Sequence, residues 1–135
     1  MRKSAVIPKG SPVATTHLTA DSFGETIAQN DIVFVDFWAA WCPPCRAFAP
    51  VFENASDRHP GIVFGKVDTE AEQQLAATAR ITSIPTLMAF RDHTLVFAQP
   101  GALNSQQFEQ LIGVIEQLDM DEFRRGMQSE TTSRA

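Results

Sequence analysis

The run Ile32-Val33-Phe34-Val35-Asp36-Phe37-Trp38 is apolar at all but one position, and it leads within a few residues to Cys42-Pro43-Pro44-Cys45. A short apolar run of this kind reads as a buried strand. Arg46-Ala47-Phe48-Ala49 then begins a helical pattern that leads on past Pro50. Two consecutive prolines fit a helix only in its first turn, where the missing N–H groups cost no intrahelical bond. The chain must therefore pass from strand to helix here, with its only two cysteines at the junction. A Cys-x-x-Cys pair in that setting reads as a redox motif.

At 135 residues the chain suits one well-packed domain and is short for two. With 44% hydrophobic and 20% charged residues it has the composition of an ordinary globular protein. A formal charge of -5 argues against nucleic acid as a partner. No apolar stretch approaches the roughly 20 residues that cross a bilayer, so no membrane partner is expected. The basic start Met1-Arg2-Lys3 is followed by only a few apolar residues before Pro8 and Lys9. A secretory signal needs about 7 to 15. The expected location is cytoplasmic.

Residues 1–17 are rich in Pro, Ser, Thr and Lys without periodicity, and read as a flexible N-terminal tail. Thr19 is the expected N-cap of a short helix with Phe23 and Ile27 on one face. After the strand at 32–38 and the helix to about Arg58, residues 62–67 form another apolar strand. Thr69-Glu70-Ala71-Glu72 reads as a capping box opening a helix with Leu75 and Ala79. Residues 86–90 and 95–98 should pair as an antiparallel hairpin. Asn104 caps a last helix carrying Phe108, Leu111, Ile112, Ile115 and Leu118 at helical spacing. The element order is β-α-β-α-β, a short helix, then β-β-α: a mixed sheet with helices on both faces. The domain spans 18–118. Residues 119–135 turn polar and read as an extension of the last helix, through Met120, Phe123 and Met127, followed by a polar tail.

Cysteines three apart at a helix start can bring their sulfurs together across one turn. Cys42 would sit at the N-cap, where unpaired N–H groups and the helix dipole stabilise a thiolate. Cys45 would lie one turn inside. These positions make Cys42 the nucleophile and Cys45 the resolving thiol of the Cys42–Cys45 pair. The competing reading, half of a zinc site, needs two more ligands, and His17, His59 and His93 lack ligand spacing. Hence no metal is expected. Asp36 is either a strand-end residue reaching solvent or a buried carboxyl with a raised pKa.

Val35-Asp36-Phe37-Trp38-Ala39-Ala40-Trp41-Cys42-Pro43-Pro44-Cys45-Arg46 resembles the active-site segment of thioredoxins. Pro50 matches the proline that kinks that family's second helix. Ile81-Thr82-Ser83-Ile84-Pro85-Thr86-Leu87 matches its cis-proline segment, and Gly101-Ala102-Leu103 its glycine loop. The resemblance covers about residues 18–118. It implies an α/β thioredoxin fold, a central mixed five-stranded sheet of order 1-3-2-4-5 flanked by four helices. It also implies a general protein-disulfide reductase acting on disulfide-containing proteins, and the chain is expected to be a monomer.

By the same resemblance, Asp36 is a proton acceptor for Cys45, and Lys66 modulates it, the alternative being a strand lysine that snorkels. Trp41, Pro43, Pro44, Ile84, a cis Pro85, Pro100, Gly101 and Ala102 would form the substrate-binding patch. No cofactor would be bound. NADPH and FAD would act only through a partner thioredoxin reductase. The Pro43-Pro44 pair departs from the common Gly-Pro, and Asp92-His93 replaces the usual Asn-Gly hairpin turn. Two other functions remain in competition, an envelope disulfide oxidase or isomerase and a thioredoxin-fold binding module.

Overall fold

The computed structural model describes residues 14–134, with side chains described as far as residue 128. Ten elements follow in order: β1 (Thr16–His17), α1 (Ala20–Gln29), β2 (Ile32–Trp38), α2 (Pro43–Arg58), β3 (Val63–Asp68), α3 (Gln73–Thr78), β4 (Thr86–Arg91), β5 (Thr94–Pro100), α4 (Ser105–Glu116) and α5 (Met120–Arg134). The five strands form one sheet of order β1-β3-β2-β4-β5. β1, β3 and β2 run parallel, whereas β4 is antiparallel to both β2 and β5. The expected α/β fold and strand order are thus present.

Alternation along β2 sorts its side chains between two cores. Phe34 faces α2 and α4, where Phe48, Phe52, Phe64 and Phe108 make a dense aromatic cluster. The Phe34 and Phe108 rings meet edge-on with centroids 5.4 Å apart, a favourable geometry for the ring quadrupoles. Val33, Val35 and Phe37 point the other way, onto Leu18, Phe23, Leu75 and Met88. Asp36 therefore shares the α2 face with Phe34.

Several expectations need correction. Thr16 and His17, read as tail, pair in parallel with Gly65 and Lys66 of β3, and Leu18 behind them is buried. Two residues are too few to show a period, so the strand had no signature. Residues 1–13 of the expected tail lie outside the described residues. Among the described residues there are five helices, because α5 does not extend α4. The chain breaks at 117–119, and the Asp119 carboxylate accepts the Glu122 N–H at 3.0 Å to start a new helix. A capping carboxylate in that position competes with continued helix.

The capping box at Thr69 does not form either. The Thr69 hydroxyl donates to the Trp38 carbonyl at 3.0 Å, and Glu72 accepts the Ala20 N–H at 3.0 Å. α3 consequently starts at Gln73 without a side-chain cap. Thr19 and Asn104 do cap their helices, each within a reciprocal capping box. At the hairpin, Asp92 and His93 take φ of 52° and 67°, so the turn keeps two left-handed residues without Asn-Gly. That is the twist a two-residue hairpin of this kind requires.

Candidate active site

β2 delivers the chain to the sheet's end, and the turn at Ala39-Ala40-Trp41 carries it into α2. Cys42 is the N-cap of α2, with Pro43 and Pro44 filling the first two helical positions. Cys42 and Cys45 form a disulfide with Cα atoms 5.2 Å apart. The Cys42 Sγ accepts the Cys45 N–H at 3.2 Å, which places it where the free amides of the helix start converge. A thiolate there is stabilised by those amides and by the helix dipole.

The Ile84–Pro85 bond is cis, and the Ile84 carbonyl oxygen lies 3.7 Å from Cys42 Sγ. Both cysteines are nearly covered, at 2% and 3% exposure. Access to Cys42 is along a groove of about 410 Å³ between Trp41, Pro43 and Pro44 on one side and Ile81 to Ile84 on the other. Trp41 is 64% exposed, and its indole N–H donates to Glu70 at 3.3 Å. The large apolar ring is thereby fixed at the groove's rim instead of folding into the core.

A second cavity of about 260 Å³ opens on the far side of the helix start, lined by Trp38, Ala39, Cys45, Arg46, Ala49 and Lys66. Asp36, 1% exposed, is in register with Lys66 of β3, which lines this cavity. Neither Asp36 carboxyl oxygen has a hydrogen-bond partner among the described residues. Burial pushes the carboxyl up from 3.8 to about 7; the Lys66 charge opposes this and the Glu53 charge adds to it. The Lys66 ammonium pairs with Glu53 at 3.5 Å and lies 5.3 Å from the centre of the Trp38 ring.

Most of the residues singled out from the sequence are gathered here. Asp36, Trp41, Cys42, Pro43, Pro44, Cys45, Lys66, Ile84 and Pro85 surround one strand-to-helix junction. Pro100, Gly101 and Ala102 do not line the Cys42 groove. Pro100 pairs with Thr86 at the end of β5 and borders a separate cleft. Gly101, at φ 106°, donates its N–H to the Pro85 carbonyl at 2.8 Å and so braces the proline loop from behind. A left-handed φ of this size favours glycine. Ala102 is exposed outside both grooves.

Sequence reasoning missed Thr69, Ala76, Thr82 and Ser83 in the groove, Glu70 at its rim, and Glu53 beside Lys66 at the second cavity. Glu53 left one trace, the spacing Cys45-Ala49-Glu53 that places all three on one helical face. The histidines go to structural contacts, His59 to Glu109 at 2.8 Å and His93 to the Ile27 carbonyl at 2.9 Å.

Comparison with known proteins decides the family: the thioredoxin family model matches residues 14–114. The chain belongs to the thioredoxin family. It is 49% identical over 114 residues to a protein of Streptomyces coelicolor named putative thioredoxin 2, covering 84% of this chain and 85% of that one. A thioredoxin structure from Plasmodium falciparum superposes with a TM-score of 0.68 at 35% identity, over 73% of this chain and 97% of that one. A mutant thioredoxin from Halobacterium salinarum gives 0.73 at 27% identity, over 82% and 98%. As a thioredoxin with its cysteine pair in place, the protein is a thiol-disulfide oxidoreductase of the protein-disulfide reductase type. Among the described residues, no helix is long and apolar enough to cross a membrane.

Proposed function

We propose that this thioredoxin reduces disulfides of cytoplasmic proteins, with Cys42 as nucleophile, Cys45 as resolving thiol and Asp36 as proton acceptor. The observation that carries the reading is the position of the Cys42 sulfur, at the N-cap of α2 and at the edge of the groove. There the attacking sulfur is both the better-stabilised thiolate and the one beside the apolar groove.

In the first step the Cys42 thiolate attacks one sulfur of a substrate disulfide. A Cys42–substrate bond forms, and the other substrate sulfur leaves as a thiolate. Cys45 then gives its proton to Asp36, directly or through one water, and attacks Cys42 Sγ. The Cys42–Cys45 bond closes and the second substrate thiolate departs, so two electrons have passed to the substrate. Lys66 modulates Asp36 across the sheet register. Trp41, Pro43, Pro44, Ile84 and Pro85 hold the substrate chain beside Cys42. The oxidised pair returns to the dithiol through a thioredoxin reductase that carries FAD and draws on NADPH. This chain binds neither cofactor and acts as a monomer.

The test is to mix Cys45→Ser and Cys42→Ser variants with a disulfide-containing protein and separate the products by non-reducing electrophoresis. Cys45→Ser should accumulate a covalent mixed disulfide and Cys42→Ser should form none. Adducts with Cys42→Ser alone would reverse the two roles. Insulin reduction driven by NADPH and a thioredoxin reductase tests the proposed electron donor.

A further inference from the structure

The charges around Asp36 come from few directions. β3 contributes Lys66, its register partner, while the partner on β4 is the apolar Leu87. α2 contributes Glu53. Arg46, at the rim of the cavity, is bound to the Ala40 carbonyl at 2.9 Å. From α4, Phe108 is apolar, and Glu109 is held by Arg58 and His59.

A buried carboxyl next to a lysine ordinarily forms an ion pair with it and stays ionised. Here the lysine is turned elsewhere. The Lys66 ammonium reaches Glu53 at 3.5 Å, and among the described residues Asp36 is left without any ion pair or hydrogen bond. Glu53 is about one-third exposed, so its own carboxylate keeps part of its hydration while it holds the ammonium. The Trp38 ring beside that ammonium fixes its position from a further side.

We infer that Glu53 is a positioning residue: it draws the Lys66 ammonium away from Asp36 and keeps that carboxyl from forming an ion pair of its own. The consequence for chemistry rests on the proposed role of Asp36 as the base for Cys45. An Asp36 paired with Lys66 would remain ionised through neutrality and would be a poor proton acceptor. An Asp36 left unpaired in an apolar site ionises near neutrality, where it can take a proton from Cys45 and return it to solvent. Glu53 acts in the same sense through its own negative charge, which disfavours a second one on Asp36.

The experiment follows the Asp36 carboxyl carbon by NMR from pH 4 to 9 in the reduced protein, for wild type, Glu53→Gln and Glu53→Asp. Resolution of a preformed Cys42 mixed disulfide is timed over the same range. In Glu53→Gln the carboxyl midpoint should fall by roughly half a unit or more, since one charge is lost and Lys66 is freed. The kinetic midpoint should fall with it. Glu53→Asp should restore most of the shift, and Glu53→Gln should leave the pH profile of an Asp36→Asn protein unmoved. An Asp36 midpoint in Glu53→Gln that stays at the wild-type value, or rises, overturns the inference. A carboxyl midpoint that falls while the kinetic profile stays fixed supports the positioning by Glu53 and removes Asp36 as the base for Cys45.

Discussion

Asp36 is the one polar residue in an otherwise apolar strand, and its environment converts directly into a dependence of stability on pH. Its carboxyl is raised from 3.8 to about 7, first by burial. The unfolded chain ionises at the lower value and the folded chain at the higher. Asp36's contribution is therefore fully present below about pH 4 and is lost as pH rises through 7, a loss of up to about 4 kcal/mol for a shift of this size. Asp36→Asn cannot ionise but still buries an amide, which costs part of that gain. The variant should be more stable than wild type at pH 8 by about 1–3 kcal/mol, and nearly flat between pH 4 and 8 where wild type declines. Urea unfolding at several pH values measures both, and parallel pH slopes would show that Asp36 is ionised in the fold. The oddity of a carboxylate in an apolar run was legible in the sequence. Glu53 was not, because the importance of that helical face depends on where α2 docks.

At the scale of elements, the least legible piece is the shortest. β1 has only Thr16 and His17, yet it brings Leu18 to the sheet, where the Leu18 N–H donates to the Lys66 carbonyl at 2.8 Å. Leu18 is 2% exposed and lies over Gly65 of β3. A Cβ built on Gly65 would come 2.9 Å from Leu18 Cγ and closer still to one of its methyl groups, too near for either to stay in place. Leu18→Ala should cost about 2–4 kcal/mol through the cavity it leaves. Gly65→Ala should cost about 1–3 kcal/mol through overpacking. The two effects share one space, so the double variant should be less destabilised than the sum of the singles, by about 1 kcal/mol or more. Chemical denaturation of the four proteins closes the cycle, and strict additivity would mean that Leu18 and Gly65 do not compete for volume. By contrast, β2 and α2 were readable almost to the residue, since a seven-residue apolar run and two prolines at a helix start are local signals.

For the whole molecule, the question is what α5 adds to a domain that matches its family over residues 14–114. Met120 is buried at its start, and Arg124 reaches back to the Asp92 carboxylate at 2.5 Å, fastening α5 to the β4–β5 turn. The end of α4 is held independently, by the Arg91 guanidinium on the carbonyls of Ile115, Glu116 and Leu118. Removing residues 120–135 should therefore lower stability by about 1–2 kcal/mol, mainly through lost burial at Met120, and leave the rate of insulin reduction within twofold of the full chain. Thermal unfolding and a turnover assay decide it, and a collapse of activity would tie α5 to the active end of the sheet. By itself the sequence determined what depends on neighbours along the chain. It set the strand run, the proline-led helix start, the helix caps at Thr19 and Asn104, and the cysteine spacing that allows a disulfide. These follow from hydrophobic period, missing N–H groups and side-chain reach over a few residues. Only the tertiary structure decided what depends on distances between remote segments. It set the Ile84 loop against Cys42, the Gly101 brace behind Pro85 and the turn of Lys66 toward Glu53. Burial of Asp36 by helix and sheet together is of the same kind, because desolvation belongs to a packed site and not to a residue in a strand.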